Sequence, residues 1–143
     1  MEKQYSYGAV IIREKKGKVL YLIAKNYRGE WGFPKGHQEK AESPIKTAKR
    51  EIFEETSISD PKFITDFQED LVYVYEHEGQ EVEKHSVYFL AKTEQEKVIC
   101  QDGEHKELRW VEFNEALGVL TFDNTKSLLK KAAGFYARHS RNR

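Results

Sequence analysis

The chain has 143 residues, the size of one ordinary domain, and we expect a single domain over residues 1–143. Aromatic residues form 13% of the chain, which argues against disorder because disordered proteins are poor in them. The 24 basic and 24 acidic side chains cancel, so no overall field attracts an anionic membrane or nucleic acid, and any basic site must be local.

The cysteine count and the lack of long apolar runs predict a cytoplasmic protein. Cys100 is the only cysteine, so it cannot form an internal disulfide, and no cysteine–histidine cluster suggests zinc. We interpret it as a small apolar residue rather than a nucleophile. The sequence contains neither a run of roughly 18 apolar residues nor an apolar signal core at its N-terminus.

The first third of the chain predicts a β-hairpin followed by irregular structure. Residues 6–13 and 18–25 are rich in β-forming side chains, and Lys16-Gly17 between them predicts a tight turn. Residues 30–40 contain two glycines and a proline, which are typical of irregular backbone.

Ser43 and Pro44 mark the start of a helix. Serine is a preferred N-cap and proline is favoured at the first helical position, so we predict a helix from Pro44 to about Thr56. Its predicted buried stripe consists of Ile45, Ala48 and Ile52.

The rest of the chain predicts more strands than helices. A Glu78-Gly79 turn indicates a second hairpin. The basic residues 138–143 predict a frayed tail. Together the elements predict an α+β fold with a mixed sheet between helices. The predicted elements are strands at 63–67, 71–76, 82–92 and 108–113, a short helix at 114–118, and a final helix from near Asp123 that carries Leu128, Leu129, Ala132 and Phe135 at helical spacing.

Three carboxylates fall on one face of the predicted helix. Glu51, Glu54 and Glu55 lie at i, i+3 and i+4, within about a 100° arc. Like charges at this spacing repel by about 0.2–0.5 kcal/mol per pair. A hard divalent cation such as Mg²⁺ prefers oxygen ligands and would offset the repulsion. The alternative is a set of solvated surface charges.

The residues around these carboxylates resemble the Nudix box, whose pattern is G-x5-E-x7-R-E-U-x-E-E-x-G-U with U aliphatic. The box corresponds to residues 36–58. One position departs from it, because Ser57 stands where the box has a glycine that ends the helix. We expect this serine to cost on the order of 1 kcal/mol of stability without affecting the chemistry. The matching residues are Gly36, Glu42, Arg50, Glu51, Ile52, Glu54, Glu55 and Ile58.

The resemblance implies a Nudix fold, an α/β/α sandwich, and a hydrolase that cleaves a diphosphate linkage. It implies that Glu51, Glu54 and Glu55 bind Mg²⁺ or Mn²⁺ and act in catalysis, and that the Gly36 carbonyl is a further ligand. Arg50 would orient a box carboxylate, its alternative being a plain surface pair with Glu54. Glu42 would orient the site from outside the metal shell.

A second segment resembles the family region that supplies one more glutamate to the metal. This segment, residues 102–110, has an acidic residue followed by Arg109-Trp110 ahead of a strand. We expect Glu104 to be the additional ligand, with Glu107 as its competitor.

Two further segments are similar to the asymmetric diadenosine tetraphosphate hydrolases and their bacterial relatives. They are residues 31–37, with the pattern Trp-x-x-Pro-Lys-Gly-His, and residues 84–91. The resemblance implies a small nucleotide substrate. For every aromatic side chain, packing in the core is the alternative. The implied contacts are Lys35, His37 and Lys84 with phosphate, Tyr75 or Tyr88 with the base, and Phe122 in the base pocket.

Of these tyrosines, Tyr88 is favoured for stacking because it lies on the same strand face as Lys84, four residues further on. Tyr73 alternates with apolar residues in the same way.

Other functions are compatible with the box. The leading hypothesis is cleavage of dinucleoside polyphosphates such as diadenosine tetraphosphate. One alternative is pyrophosphate removal from an RNA 5′ end, which zero net charge disfavours, or from an oxidised nucleoside triphosphate. Another is a non-catalytic nucleotide-sensing module, which the presence of every charged box residue disfavours. The sequence predicts no oligomeric state.

Overall fold

The computed structural model describes residues 1–101 and 103–141. The described residues form seven strands and three helices. The strands are β1 (Glu2–Lys15), β2 (Lys18–Asn26), β3 (Trp31–Gly32), β4 (Lys35–His37), β5 (Lys62–His77), β6 (Gln80–Lys92) and β7 (His105–Val111). The helices are α1 (Pro44–Thr56), α2 (Phe113–Val119) and α3 (Asp123–Arg141).

The strands form one mixed sheet with helices on both faces. Its order is β3-β2-β1-β6-β5, with β4 also paired to β1 and β7 to β2. Strands β1 and β6 are parallel, whereas the other pairs are antiparallel. This arrangement confirms the predicted α+β class with a mixed sheet between helices.

Strand β1 shows why both faces are covered. Its central run is apolar without alternation, as expected of a strand buried on both sides. Ala9 and Ile11 pack with the buried face of α1, whereas Val10 and Ile12 pack with α2 and α3. Successive side chains of a strand point to opposite faces, so one apolar strand supplies both cores.

Both predicted two-residue turns are confirmed. Lys16 and Gly17 have φ values of 51° and 80°, and Glu78 and Gly79 have 53° and 79°. Two central residues at positive φ match the right-handed twist of the flanking strands. The second turn sets the register of β5 on β6.

Several boundaries differ from the prediction. The segment predicted to be irregular contains the two short strands Trp31–Gly32 and Lys35–His37. Strand β5 is continuous where two strands are predicted, and its register on β6 shifts between Phe63 and Gln68. Asp66 in this stretch has φ 76°, so a bulge interrupts the alternation that the prediction relied on. Strand β7 begins at His105 rather than at residue 108, and Phe113, predicted as a strand residue, begins α2.

Helix α1 begins and ends as predicted, but its buried stripe is shifted. The Lys46 N–H donates to Ser43 Oγ at 3.2 Å, which confirms the N-cap. Ala48 and Ile52 are fully buried. Ile45 is exposed, so its predicted burial is wrong. It lies in the first turn, and burial begins in the next one.

Helix α3 continues to Arg141, so residues 138–141, predicted to be frayed, are helical. Asn142 and Arg143 lie outside the described residues. The buried face of α3 includes Leu128, Leu129 and Ala132 as predicted, but Tyr136 rather than Phe135 completes it. Within residues 1–101 and 103–141, no helix has the length and apolar character needed to cross a membrane.

A charged cluster lies on the α1 side of the sheet, beyond the helix. His85 of β6 contacts Asp70 Oδ2 through Nδ1 at 2.7 Å and Glu83 Oε2 through Nε2 at 2.6 Å. Its ring stacks on Tyr5 at 4.6 Å between centroids. Hydrogen bonding to Asp70, and then to Glu83, raises the pKa of His85 above its usual range.

Candidate active site

The three α1 carboxylates differ greatly in exposure. The side chain of Glu54 is 48% exposed, that of Glu51 13% and that of Glu55 0%. Glu55 is buried because it lies on the same inward face as Ala48 and Ile52. A buried carboxylate needs polar partners, and the backbone N–H of Lys35 donates to Glu55 Oε1 at 3.3 Å.

Strand β4 lies directly against these carboxylates. Gly36 pairs with Tyr7 of β1, and a Cβ at Gly36 would overlap the carboxylate of Glu51. Glycine is therefore required at position 36 because the Glu51 carboxylate lies against its Cα, and not because of its backbone conformation. The backbone of β4, which pairs with the central strand β1, thus lies against the carboxylates of α1.

Arg50 holds the outer carboxylates together. Its Nε and Nη2 donate to the two carboxylate oxygens of Glu42 at 2.6 and 3.0 Å. Its Nη1 donates to Glu51 at 2.9 Å and to Glu54 at 3.1 Å, and Nη2 also donates to the His37 carbonyl at 2.9 Å. Hydrogen bonding to Arg50 lowers the pKa of Glu42 to about 2. The contact with Glu54 is therefore one part of a larger network and not an isolated surface pair.

Of the two competing glutamates, the structure brings Glu104 to the box. Glu51, Glu54, Gln101 and Glu104 line an acidic cavity of about 370 Å³. Glu107 instead contacts Arg109 at 2.8 Å on β7. Asp102, at the start of the predicted motif, lies outside the described residues.

The donor set suits a hard cation. The acidic cavity offers carboxylate and amide oxygen atoms, which Mg²⁺ and Mn²⁺ prefer, and the backbone of Gly36 lies against Glu51 beside it. In the described part of the chain, no three His, Cys, Asp or Glu side chains are already gathered as a cation site. Arg50 Nη1 contacts one carboxylate oxygen of Glu51, at 2.9 Å, and both oxygens of Glu54, at 3.1 and 3.3 Å.

A cleft of about 570 Å³ adjoins the acidic cavity, and Glu104 lines both. The side chains of Lys35 and Lys84 enter the cleft from β4 and β6. Burial lowers the pKa of Lys35, and the nearby charge of Lys84 lowers it further. Phe122 and Tyr73 also line the cleft and offer exposed aromatic surface. The cleft therefore combines basic and aromatic side chains beside the acidic cavity.

Three predicted contact residues lie elsewhere. His37 is exposed and does not line the cleft, and its Nδ1 lies 3.5 Å from Ser6 Oγ. Tyr75 lies two residues beyond Tyr73 along β5, outside the cleft, and its hydroxyl donates to Gln4 Oε1 at 3.3 Å. Tyr88 lines the cleft floor but is only 2% exposed.

The prediction that Tyr88 stacks on the base is wrong, because Tyr88 is buried. Its ring meets Phe33 edge to face at 6.2 Å, and burial raises its pKa. The ring belongs to the core and has no open face for a base.

Tyr73 lines the cleft, although the sequence analysis assigned the base contact to Tyr75 or Tyr88 instead. It is 46% exposed and lies directly opposite Lys84 in the β5–β6 ladder. A signal for this pairing was present in the sequence. The two-residue Glu78-Gly79 turn pairs His77 with Gln80, and counting back from it pairs Tyr73 with Lys84.

Comparison with known proteins agrees with this geometry. The NUDIX domain model matches residues 2–133. The asymmetrical bis(5′-nucleosyl)-tetraphosphatase of Caenorhabditis elegans is 30% identical over 132 residues, which is 91% of this chain and 94% of the relative. The corresponding enzyme of Sus scrofa is 34% identical over 119 residues, covering 81% and 78%.

A solved structure gives the same result for the fold. The binary complex of a C. elegans Ap4A hydrolase superposes with a TM-score of 0.82 at 30% identity, covering 94% of this chain and 98% of that one. The chain therefore belongs to the NUDIX domain family and is a Nudix hydrolase of the pyrophosphohydrolase type.

Proposed function

We propose that this protein hydrolyses a phosphoric anhydride bond in dinucleoside polyphosphates such as diadenosine tetraphosphate, with Mg²⁺ or Mn²⁺ held by the box carboxylates. The observation that carries the proposal is the combination of side chains at one site. The cleft that adjoins the acidic cavity is lined by two lysines and by two exposed aromatic rings. A metal-bound phosphate chain ending in a nucleoside has complementary chemistry.

The lysine pair supports an anionic ligand. Lys35 and Lys84 are close enough for the charge of Lys84 to lower the pKa of Lys35. Two ammonium groups in a partly buried cleft repel each other, and a polyphosphate chain between them would remove this cost. The relatives named above are bis(5′-nucleosyl)-tetraphosphatases, and a substrate of that class has a phosphate chain that two lysines could bind.

At the acidic end, Glu51, Glu54, Glu55, Glu104 and the Gly36 carbonyl would hold the divalent ion. When bound, the ion supplies charge neutralisation on the phosphate oxygens and polarisation of the phosphorus. Arg50 keeps Glu42, Glu51 and Glu54 in place through its hydrogen bonds.

The hydrolysis needs a water molecule and a proton acceptor. We assign the acceptor role to a carboxylate oxygen of Glu54, because Glu54 is reached by solvent whereas Glu55 is buried. Water oxygen bonds to phosphorus as its proton passes to Glu54. The bond to the bridging oxygen breaks, and the leaving phosphate keeps the electron pair. Lys35 and Lys84 would stabilise the charge that collects on the phosphate oxygens.

Two aromatic residues that line the cleft, Tyr73 and Phe122, would contact the base. Both rings are about half exposed at the cleft, unlike the buried ring of Tyr88. Stacking on an aromatic side chain contributes about 1–3 kcal/mol per base, so it would favour nucleotides over base-free polyphosphates.

The test is product analysis and kcat/KM for diadenosine tetraphosphate, ATP and a base-free polyphosphate in Mg²⁺. Lys84→Ala should reduce kcat/KM for all three substrates, and the reduction should be greatest for the substrate with the longest phosphate chain. Tyr73→Ala should reduce kcat/KM by about 5- to 150-fold for the adenine compounds alone. Tyr75→Ala is the matched control, because this ring lies two residues further along the strand and outside the cleft.

The outcome against the proposal is equal turnover of the base-free compound and the dinucleotide by the wild-type protein. The enzyme would then be a general diphosphate hydrolase. Preferential cleavage of a triphosphate-capped RNA or an oxidised nucleoside triphosphate would assign the cleft to one of the alternative substrates.

A further inference from the structure

A histidine joins the buried carboxylate of α1 to the segment that carries Glu104. His105 is the first residue of β7, and its side chain is only 14% exposed. Its Nδ1 lies 3.4 Å from Glu55 Oε1, the same oxygen that accepts the Lys35 N–H. His105 also lines the cleft.

The backbone around His105 is irregular. In the β2–β7 ladder, Lys25 pairs with Glu107 but Asn26 pairs with His105, so β7 carries one extra residue at this point. Gly103, two residues earlier, has φ 75°. Bulges often re-aim a side chain beside an active site. Here the bulge lies at the start of the strand, next to Glu104.

We propose that His105 is a positioning residue: its contact with Glu55 fixes the start of β7 and so keeps the carboxylate of Glu104 beside Glu51 and Glu54. The inference rests on the proposed function, in which these carboxylates hold the divalent ion. Glu104 lies on an exposed segment outside the regular strand, whereas Glu55 is fixed in the core. The imidazole of His105 contacts Glu55, and His105 follows Glu104 directly in the chain.

The chemistry of the contact defines the variants. An asparagine at 105 places an amide nitrogen near the position of Nδ1, so His105→Asn should keep the link to Glu55. His105→Phe keeps a ring without a polar atom. His105→Gln keeps a polar group but places its nitrogen near the position of Nε2. Loss of an outer partner of a metal ligand typically weakens metal binding or activity by about 10–100-fold.

The experiment is a calorimetric Mn²⁺ titration of the metal-free protein, with thermal unfolding in chelator and kinetics on diadenosine tetraphosphate. His105→Phe and His105→Gln should weaken Mn²⁺ binding by about 10–100-fold, whereas His105→Asn stays within about threefold of wild type. The kinetic loss should fall on kcat rather than on KM. His77→Phe, in an exposed side chain next to the β5–β6 turn, is the control and should match wild type.

A double-mutant cycle with Glu104→Gln separates positioning from general stability. If His105 acts through Glu104, adding His105→Phe to Glu104→Gln should change Mn²⁺ affinity little further. If His105→Phe does not fold, His105→Gln takes its place in the cycle. Wild-type Mn²⁺ affinity in both variants, or fully additive losses in the cycle, would overturn the inference alone. Absence of Mn²⁺ binding by the wild-type protein would overturn the proposed function as well.

Discussion

Replacement of Ser57 by glycine should stabilise the protein without changing its activity. Ser57 ends α1 with φ 67° and ψ 11°, a left-handed conformation that side chains disfavour. Its backbone N–H donates to the Phe53 carbonyl at 2.8 Å, and its own carbonyl accepts from Gln95 Nε2 at 3.0 Å. Both hydrogen bonds use only the backbone of residue 57, so glycine keeps them.

The expected size follows from two opposing effects. A left-handed conformation costs an L-residue about 1–2 kcal/mol. Glycine loses more conformational freedom on folding than serine does, and this loss lowers the stability by about 0.5–1 kcal/mol. The balance is a gain between about 0 and 1.5 kcal/mol, and its middle value corresponds to a rise of about 2–3 °C in the unfolding midpoint for a chain of this size.

Thermal and urea unfolding in chelator measure the effect, so metal binding does not contribute. Ser59→Gly is the matched control, because Ser59 is not among the residues at positive φ. That variant should lose about 0.5–1 kcal/mol. The reasoning is refuted if Ser57→Gly lowers the midpoint as Ser59→Gly does, since residue 57 would then not be left-handed in solution.

Three further outcomes are expected. Glu55→Gln should cut kcat in Mg²⁺ by about 10²–10⁴, and unchanged hydrolysis in excess chelator would contradict it. Arg50→Lys should lower the unfolding midpoint and reduce activity by about tenfold, because a single ammonium cannot make the several hydrogen bonds of the guanidinium to its carboxylates. Arg138→Lys, at an exposed position of α3 outside the cleft, should change neither. His85 has a raised pKa in the folded protein, so its contribution to stability should be complete below its unfolded pKa of about 6.5 and be lost as the pH rises through the folded value. A His85→Gln variant should lack this pH dependence in unfolding titrations.

Local chemistry in the sequence determined the elements that support the site. Ser43 and Pro44 define the start of α1, and the left-handed Ser57 defines its end. Each of these signals acts within one turn of helix, so it does not depend on the rest of the chain. The spacing of the α1 carboxylates likewise follows from helix geometry alone. The same holds for the two-residue turns that form the hairpins.

The sequence could not determine which strand residues are covered. Tyr73 and Tyr88 both alternate with apolar neighbours, yet one is half exposed and the other is in the core. The difference arises because Phe33, from a distant loop, packs on Tyr88. Ile45 and Glu55 show the same limit on α1, where the apolar residue is exposed and the carboxylate is buried.

The resemblance favoured Glu104 over Glu107, but only the tertiary structure shows what separates them. Both are acidic and both precede Arg109, so local chemistry alone does not distinguish them. Glu104 lies just before the extra residue in β7 and lines the acidic cavity, while Glu107 continues the strand and contacts Arg109. Helix caps and turns depend on near neighbours, whereas burial and strand register depend on which distant segments meet. The first kind of information is contained in a short stretch of sequence, and the second arises only when the chain is packed.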